Sequence, residues 1–376
     1  MKKLKLAFIF GTRPEIIKLS SLMRLCMKKK IDFFTVHTGQ HYSHSMFKLF
    51  FDELGLPKPN YTLNVKSKAP YKQGDHTGRM MMKIEDILLK ELPSVVLVQG
   101  DTNTVLAGAL TTSKISTTKA FTGFDIKLAH VESGLRSYDR NMPEEINRVM
   151  ADHLSDYLFA PTPRSRDIAI AEGVQRNKVF VTGNTIVDAV KEGLHRLKDK
   201  SGILKKHGLN KNSYMLLTLH RQENVDNKKR LVKILAGIEK VCKKHKMPVV
   251  FPIHPRTVKM FKLFDIKPHE LIRTIEPCGF LEFLQLEAGA RLILTDSGGV
   301  QEEACVMRVP CVTLRDSTER PETVEVGANI IAGEGFYPKI IAGAVETMLK
   351  AKRSWKNPFG PGDSAERILK ILKRKR

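Results

Sequence analysis

The chain alternates regularly between apolar runs of strand length and amphipathic stretches of helix length. Such alternation is typical of repeated βα units, whose strands form a parallel sheet. Six apolar runs lie in the first half: LKLAFIF, DFFTVH, SVVLVQG, KLAHVE, YLFAP and KVFVTG. A second series begins after residue 210: YMLLTLH, PVVFPIH, ELIRTI, RLILTDS, PCVTLR and ANIIAG. The pattern therefore predicts an α/β protein with two parallel sheets.

The domain organisation follows from this restart of the pattern. A length of 376 residues suits two domains. We predict an N-terminal domain over 1–182, a helix and polar, lysine-rich linker over 183–212, and a C-terminal domain over 213–355. The closing segment, 356–376, has a turn rich in Gly and Pro and then Ser364 as a predicted helix cap. This last helix is expected to pack back towards the N-terminal domain.

Composition narrows the class of protein. The five cysteines are widely spaced and contain no C-x-x-C pair, so neither a disulfide framework nor a zinc site is indicated, and a reducing cytoplasm is expected. No apolar run is long enough for a membrane span. The net charge of +23 makes a nucleic-acid-binding protein the competing class. Since the lysines are spread over helical stretches and only KILKRKR is a basic cluster, we predict no nucleic-acid or membrane partner.

Unusual polar clusters come directly after the predicted strands. The loops concerned are GTRPE, TGQHY, QGDTN, HVESGLR, TLHRQEN, IHPR, EPCGF, TDSGGVQEE and RDSTERPE. In open parallel sheets such loops lie at the carboxyl edge, where ligands bind. Two sheets whose carboxyl edges face one another would form one deep cleft between the domains.

Two of these loops have the composition of anion sites. GTRPEIIK combines a close-approach glycine with Arg13 and Lys18 at a helix start, although an ordinary strand-to-helix turn also explains it. Ser297, Gly298 and Gly299 open a second helix whose free amides suit a phosphate. Fingerprints of NAD enzymes, P-loop ATPases, serine hydrolases and zincins do not occur in the sequence. A phosphate-bearing ligand held by two helix N-termini suggests a nucleotide sugar.

Nine segments, in order and over nearly the whole chain, resemble the non-hydrolysing UDP-N-acetylglucosamine 2-epimerases. They are GTRPEIIK, TGQH, GDTNTVLAGAL, HVESGLRS, MPEEINRV, HRQEN, DSGGVQEEA, RDSTERPE and NPFGPGDSAERI. The resemblance implies a glycosyltransferase-B-like fold of two Rossmann-like domains, no added cofactor and a homodimer. It also implies reversible conversion of UDP-N-acetylglucosamine to UDP-N-acetylmannosamine, by elimination of UDP to 2-acetamidoglucal and re-addition.

The resemblance carries catalytic roles to four residues: Asp101, Glu132, Glu144 and His220. Carboxylates close to one another raise each other's pKa, so one can hold a proton while another acts as a base. For Asp101 and His220, as for His254, capping of the following loop is the alternative explanation.

The charged neighbours of these carboxylates receive structural roles. Arg136 and Arg148 are expected to hold the acidic loop, and Glu145 is expected to be structural.

The resemblance assigns a further set of residues to UDP. They are Arg13, Lys18, His254, Cys278, Phe283, Ser297, Gly298, Gly299, Glu303 and Arg320. Glu303 would accept hydrogen bonds from ribose hydroxyls, and Cys278 would touch uracil only through its main chain. Phe283 matches the uracil-packing aromatic, although its helical spacing with Phe280 equally suits a core position.

Bacterial members of this family have an adjacent allosteric site for UDP-N-acetylglucosamine. Gln40, Arg79 and Arg221 are the candidates for it here, but Ser43 stands where a second glutamine is usual. We therefore expect hyperbolic rather than sigmoidal rates with UDP-N-acetylglucosamine.

The sequence leaves two related activities as alternatives. A 2-epimerase of a modified UDP-amino sugar has almost the same motifs. A retaining glycosyltransferase shares the fold but needs an acceptor, and the carboxylate cluster favours the epimerase over it.

Overall fold

Each of the apolar runs predicted as strands contains a strand in the computed structural model, which describes residues 3–39, 50–65, 72–140, 142–197, 202–333, 335 and 337–374, without the side chains of 121 and 122. The strands are β1 (Lys5–Phe10), β2 (Asp32–His37), β3 (Tyr61–Thr62), β4 (Val95–Gln99), β5 (Lys127–Val131), β6 (Tyr157–Ala160), β7 (Val179–Val181), β8 (Met215–Thr218), β9 (Val249–Pro252), β10 (Ile272–Ile275), β11 (Leu292–Thr295), β12 (Cys311–Thr313) and β13 (Asn329–Ile331). Only β3, which is two residues long, was not predicted from the sequence.

Helices occupy most of the connections. They are α1 (Arg13–Lys28), α2 (Gln73–Glu91), α3 (Asn103–Thr117), α4 (Lys119–Thr122), α5 (Pro143–Leu154), α6 (Pro163–Ala171), α7 (Thr185–Leu197), α8 (Ile203–Lys206), α9 (Gln222–Val225), α10 (Lys228–His245), α11 (Pro255–Phe264), α12 (Phe280–Gly289), α13 (Gly298–Met307), α14 (Pro321–Glu325), α15 (Pro338–Leu349) and α16 (Ser364–Arg374). Residues 50–54 are also helical, and Arg176–Lys178 form a 3₁₀ turn. No helix in the described ranges combines the length and apolar content needed to cross a bilayer.

The chain divides into two units, each built on one sheet. Unit 1 comprises Met1–Ala189 and Phe359–Arg376, and unit 2 comprises Val190–Pro358, so the first boundary falls within α7. The strand order is β3-β2-β1-β4-β5-β6-β7 in unit 1 and β10-β9-β8-β11-β12-β13 in unit 2. All neighbouring pairs in these sheets are parallel, which confirms the predicted fold class of two parallel-sheet α/β domains.

Helices cover both faces of each sheet, which explains why the strands are continuous apolar runs rather than alternating ones. In unit 1, Leu6 to Phe10 of β1 are fully buried. In unit 2, β8, β9 and β11 pack on one face against α10 and α15. On the other face the same sheet packs against α12 and α13, in a cluster that includes Leu286 and Val300.

The last helix belongs to unit 1 and packs on α1. Ile368, Leu369 and Leu372 are buried there. The prediction that Ser364 caps this helix is wrong, because Ser364 is already its first residue and its hydroxyl makes no hydrogen bond in the described structure. Asp188 of α7 caps the helix instead, accepting from the backbone N–H of Ser364 at 3.3 Å and of Ala365 at 3.0 Å. A carboxylate in this position satisfies free amides and complements the helix dipole.

Candidate active site

The order of the strands identifies where each unit can bind a ligand. The order reverses between β1 and β4 in unit 1 and between β8 and β11 in unit 2. In doubly wound sheets ligands bind at the carboxyl ends of the strands beside such a reversal. The candidate residues of the two units lie in or just after the loops that follow these strands and their neighbours.

Glu15 links two of these loops in unit 1. Its carboxylate accepts from the backbone N–H of Gly11 at 2.7 Å and of Thr12 at 2.6 Å, and from the hydroxyl of Thr102 at 2.5 Å. Thr12 precedes α1, so this contact is part of a capping box formed by Thr12 and Glu15. Burial raises the pKa of Glu15 to about 7, although the hydrogen bonds to Thr102, Gly11 and Thr12 oppose the shift. The loops after β1 and β4 are therefore held together by one buried carboxyl group.

Glu132 is a buried member of an ion pair. Its Oε2 contacts Nζ of Lys18, with both side chains about 95% buried, and also accepts from Nε2 of Gln99 at 3.2 Å. Glu132 has a left-handed backbone, with φ of +68°, and its N–H donates to the carbonyl of Phe159 at 3.1 Å. This conformation costs on the order of 1–3 kcal/mol in a residue other than glycine, and such strain concentrates at functional sites. Lys18, predicted to bind UDP, thus directly contacts a predicted catalytic residue.

Asp101 is held by Arg148. Nη2 of Arg148 lies 2.5 Å from Oδ2 of Asp101, while its Nη1 lies 2.7 Å from Oε2 of Glu145. Glu145 also accepts from the backbone N–H of Ser137 at 3.0 Å and of Tyr138 at 2.9 Å. Glu145 therefore fixes a loop and orients the arginine that holds Asp101. Asp101 remains partly exposed, with 28% of its side chain accessible.

Glu144 differs from its neighbour. It lies in the first turn of α5, is half-buried, and makes no hydrogen bond or ion pair with the described residues. Two of the three predicted catalytic carboxylates are thus paired with cations, whereas Glu144 is not.

Arg136 holds the loop that contains Glu132 indirectly, through the carboxylate of Asp152. It pairs with Asp152 at 2.7 Å and with Glu172 at 2.6 Å. Burial would raise the pKa of Asp152, but hydrogen bonds and charges from His130 and Arg136 lower it below its usual range. Asp152 also accepts from the N–H of Gly134 at 3.0 Å, two residues after the catalytic candidate in this loop.

The position of Gly134 requires glycine. Its φ is +78°, and a Cβ atom there would lie 2.0 Å from the carbonyl oxygen of Ser165. Any larger residue would push the acidic loop away from α6.

In unit 2, a buried aspartate organises the loop after β8. Asp296 accepts from the backbone N–H of His220 at 3.0 Å and of Arg221 at 2.9 Å, and from Nδ2 of Asn224 at 3.1 Å. Its Oδ1 lies 3.2 Å from Nδ1 of His220, whose side chain is 41% exposed. Burial would raise the pKa of Asp296, but the charge and hydrogen bonds of His220 and the N–H of Arg221 lower it. The imidazole of His220 is thus oriented through Nδ1, and Nε2 is turned to the other side of the ring.

His254 lies beside His220, with ring centroids 5.6 Å apart. It caps α11, because its Nδ1 accepts from the backbone N–H of Arg256 at 3.1 Å. In a neutral ring Nε2 then carries the proton and donates. The capping alternative left open from the sequence is therefore observed, and it leaves a donor at the other ring nitrogen.

Arg320 packs against the start of α13. A Cβ atom on Gly298 would lie 2.8 Å from Nη1 of Arg320, so the guanidinium group packs on this glycine. Arg320 is buried and donates to Glu302 at 3.1 Å and to Glu319 at 3.0 Å. Although burial opposes it, bonding to Arg315 and the charges of Arg320 and Arg315 hold the pKa of Glu319 well below its usual range. The arginine is therefore held in place beside the N-terminal amides of α13, which is an arrangement suited to phosphate.

The residues predicted to contact uridine lie on α12 and α13 and just before α12. Phe283 is half-buried against the apolar cluster of this face, which contains the buried Cys278. The thiol of Cys278 lies 3.6 Å from the carbonyl oxygen of Glu276. Glu303 is also buried.

The candidates for an allosteric site are only partly described. Gln40 lies outside the described residues. Arg79 forms a partly exposed ion pair with Asp75 at 2.8 Å, one turn away on α2. Arg221 lies in unit 2, with Nη1 at 3.6 Å from Glu223. Among the described residues, no group of three or more His, Cys, Asp or Glu side chains could hold a metal ion.

Sequence reasoning did not single out several residues of these sites, among them Glu15, Gln99 and Asp296. The signal for Glu15 is the pattern Thr12-x-x-Glu15, which is a capping box immediately after a strand. Asp296 directly follows β11 and precedes the glycine pair. Gln99 had no distinguishing signal, because it is the last residue of a buried strand.

Comparison with known proteins identifies the family of this chain. The family model described as UDP-N-acetylglucosamine 2-epimerase matches residues 24–373. The UDP-N-acetylglucosamine 2-epimerase of Methanocaldococcus jannaschii is 55% identical, over 98% of this chain and 99% of that protein. A crystal structure of the enzyme from the same organism, in complex with UDP-GlcNAc and UDP, superposes with a TM-score of 0.90 at 54% identity, covering 98% of this chain and 99% of that one. The UDP-2,3-diacetamido-2,3-dideoxy-D-glucuronate 2-epimerase of Pseudomonas aeruginosa is 38% identical, over 98% of this chain and 99% of that protein. The chain therefore belongs to the UDP-N-acetylglucosamine 2-epimerase family.

Proposed function

We propose that this chain catalyses the reversible epimerisation of UDP-N-acetylglucosamine to UDP-N-acetylmannosamine at carbon 2. The observation that carries the proposal is the buried pair of Lys18 and Glu132 at the carboxyl end of β5, in the sheet whose neighbouring strand leads into Asp101. Removing a proton from carbon requires a carboxylate held in place away from bulk water, and this pair supplies one.

The reaction we propose is an elimination followed by addition. A base takes the proton from carbon 2, the electron pair of that C–H bond forms a double bond between carbons 1 and 2, and UDP leaves with the electrons of the C1–O bond. A proton is then delivered to carbon 2 on the opposite face, and UDP re-adds to carbon 1. Asp101, Glu132 and Glu144 are the proposed proton carriers, and His220 is the fourth catalytic group.

Stabilisation of the departing UDP is the second requirement. We assign the diphosphate to Ser297, to the amides of Gly298 and Gly299, to Arg320 and His254 in unit 2, and to Arg13 in unit 1. The support is the packing of the Arg320 guanidinium group on the start of α13 and the capping contact at Nδ1 of His254, which places the proton of a neutral ring on Nε2. Lys18 is also assigned to UDP, and its ammonium group in addition contacts the carboxylate of Glu132 directly.

Uridine recognition completes the proposal. Glu303 accepts from the ribose hydroxyls, Phe283 packs against uracil, and Cys278 contributes only its main chain. The burial of the Cys278 side chain supports the last assignment.

A 2-epimerase of a modified UDP-amino sugar is the second candidate. The Pseudomonas aeruginosa relative named for a diacetamido sugar is 38% identical, against 55% for the Methanocaldococcus jannaschii relative, so the unmodified sugar is favoured. We further propose a homodimer working in the cytoplasm, and the five cysteines, all free and buried, suit a reducing compartment.

Incubation with UDP-N-acetylglucosamine alone in deuterated water tests the function. We expect deuterium at carbon 2 of the sugar and a mixture of the two UDP-sugars by NMR, because each passage through the elimination exchanges that hydrogen with solvent. A retaining glycosyltransferase would give neither product without an acceptor, and a hydrolysing enzyme would release free N-acetylmannosamine. Absence of both exchange and epimer would overturn the proposal, and exchange only with a diacetamido UDP-sugar would shift it to the second candidate.

A further inference from the structure

Glu287 of α12 is the least expected charged residue in unit 2. It is fully buried, and neither carboxyl oxygen accepts a hydrogen bond from any donor in the described structure. It is flanked in sequence by Leu286, a member of the apolar cluster between the sheet, α12 and α13. A buried carboxylate without a donor or a cation is strongly disfavoured, so such a group is normally protonated or paired.

The partner of Glu287 is another acid. Glu303 lies on α13, which packs against α12, and its carboxyl group is within hydrogen-bonding reach of Glu287. Glu303 is also 93% buried, with a relative exposure of 7%. Two carboxylates offer only acceptors to each other, so a hydrogen bond between them forms only when one carries a proton. The contact itself therefore requires one neutral member.

The surroundings decide which member is neutral. Burial, and then the charge and hydrogen bonding of Glu303, raise the pKa of Glu287 well above its usual value. Two other titratable groups approach from neighbouring strands. They are Tyr214, whose hydroxyl donates to the carbonyl of Leu286 at 2.5 Å, and Cys311 of β12. Burial first, and then the charge of Glu287, raise the pKa of each, although hydrogen bonding to Thr313 opposes the shift in Cys311; both groups therefore stay neutral, and neither supplies a positive charge.

The remaining neighbour of Glu287 is helix α8, and it supplies no buried positive charge. Helix α8 packs against α12, but its Lys205 and Lys206 are exposed to solvent. Burial is complete for Glu287 and incomplete for Glu303. The proton therefore belongs on Glu287 and the negative charge on Glu303.

We propose that Glu287 is a positioning residue of the uridine site, which as a neutral acid donates a hydrogen bond to the Glu303 carboxylate and holds it for the ribose hydroxyls. This inference rests on the proposed function, because it takes from it the assignment of Glu303 to ribose. The Glu303 carboxylate then accepts hydrogen bonds from the two ribose hydroxyls and from the protonated carboxyl group of Glu287. Loss of that proton at alkaline pH leaves two buried like charges, and Glu303 is displaced from its ribose-binding position.

The expected consequence is a UDP affinity that falls at alkaline pH. The two carboxyl groups titrate as a pair, so the fall follows the upper of their two macroscopic pKa values. We expect the Kd of the wild type for UDP, measured by calorimetry from about pH 6 to about pH 10, to rise by about tenfold, the effect of one unit in a linked pKa. Glu287→Gln keeps a donor at every pH, so its Kd should lack this additional rise. Changes in Kd that arise from UDP itself or from the histidines occur in both proteins, so they cancel when the two pH profiles are compared.

Further variants separate the possible outcomes. Glu287→Met has a similar volume and no donor, and it should bind UDP more weakly than Glu287→Gln at neutral pH. Glu282→Gln, on the same helix, is the matched control and should titrate as the wild type does. The inference is overturned if the wild type and Glu287→Gln show the same alkaline profile.

A second comparison of Kd values tests the ribose assignment independently. Glu303→Ala should lose the preference for UDP over 2′-deoxy-UDP, measured as a ratio of Kd values. If that preference survives, the proposed role of Glu303 is wrong. If it is lost while the alkaline profiles coincide, only the role of Glu287 is wrong.

Discussion

Glu132→Gln is expected to remove nearly all turnover and to destabilise unit 1 at the same time. The carboxylate is a proposed proton carrier, and loss of such a group lowers kcat by about 10²–10⁴-fold. It is also the partner of Lys18, with both side chains about 95% buried, so the variant leaves an ammonium group without its counter-charge. Breaking a buried ion pair costs roughly 3–5 kcal/mol. Turnover is measured by NMR with UDP-N-acetylglucosamine, and stability by urea denaturation of the full chain.

A double variant separates the two effects. Lys18→Met with Glu132→Gln removes both charges and keeps the approximate volumes, so its stability should lie closer to the wild type than that of either single variant. Its turnover should stay as low as that of Glu132→Gln. Recovery of turnover together with stability would show that Glu132 acts only through folding, and the catalytic assignment would then be wrong.

The fold was predictable because its signal is local and repeated. Parallel strands covered on both faces are continuous apolar runs, and each run was bounded by polar loops. The exception is β3, which consists of Tyr61 and Thr62 at the edge of the sheet. A strand of two residues is too short to show a pattern of apolar and polar positions. The cap of α16 was misassigned for a different reason. Asp188 is 176 residues before Ser364 in the sequence, and only the packing of the helix brings them together.

The candidate site was predictable as a set of positions but not as a set of contacts. Strand ends mark which polar residues lie at the carboxyl edge, and this identified Asp101, Glu132 and His220. The contacts depend on side chains far apart in sequence. Lys18 and Glu132 are 114 residues apart, and Asp101 and Arg148 are 47 apart. The sequence therefore predicted Lys18 as a ligand of UDP, which stays a prediction, but it did not predict the contact of Lys18 with Glu132.

Glu144→Gln is expected to lower turnover by about 10²–10⁴-fold while leaving the free energy of unfolding within about 0.5 kcal/mol of the wild type. Among the described residues its carboxylate has no hydrogen bond or ion pair to lose, and it is half-buried in the first turn of α5. Kinetics with UDP-N-acetylglucosamine and urea denaturation measure the two quantities on the same preparations.

The adjacent Glu145 provides the matched control for this prediction. Its carboxylate accepts from Ser137, Tyr138 and Arg148, at 3.0, 2.9 and 2.7 Å, so Glu145→Gln should lower stability by about 1–3 kcal/mol. Its turnover should fall by less than about tenfold, because Gln keeps one acceptor and Arg148 stays near Asp101. The two changes are identical in chemistry and adjacent in the chain, and only their contacts differ. A parallel loss of turnover and stability in both variants would therefore mean that Glu144 supports the fold rather than the reaction.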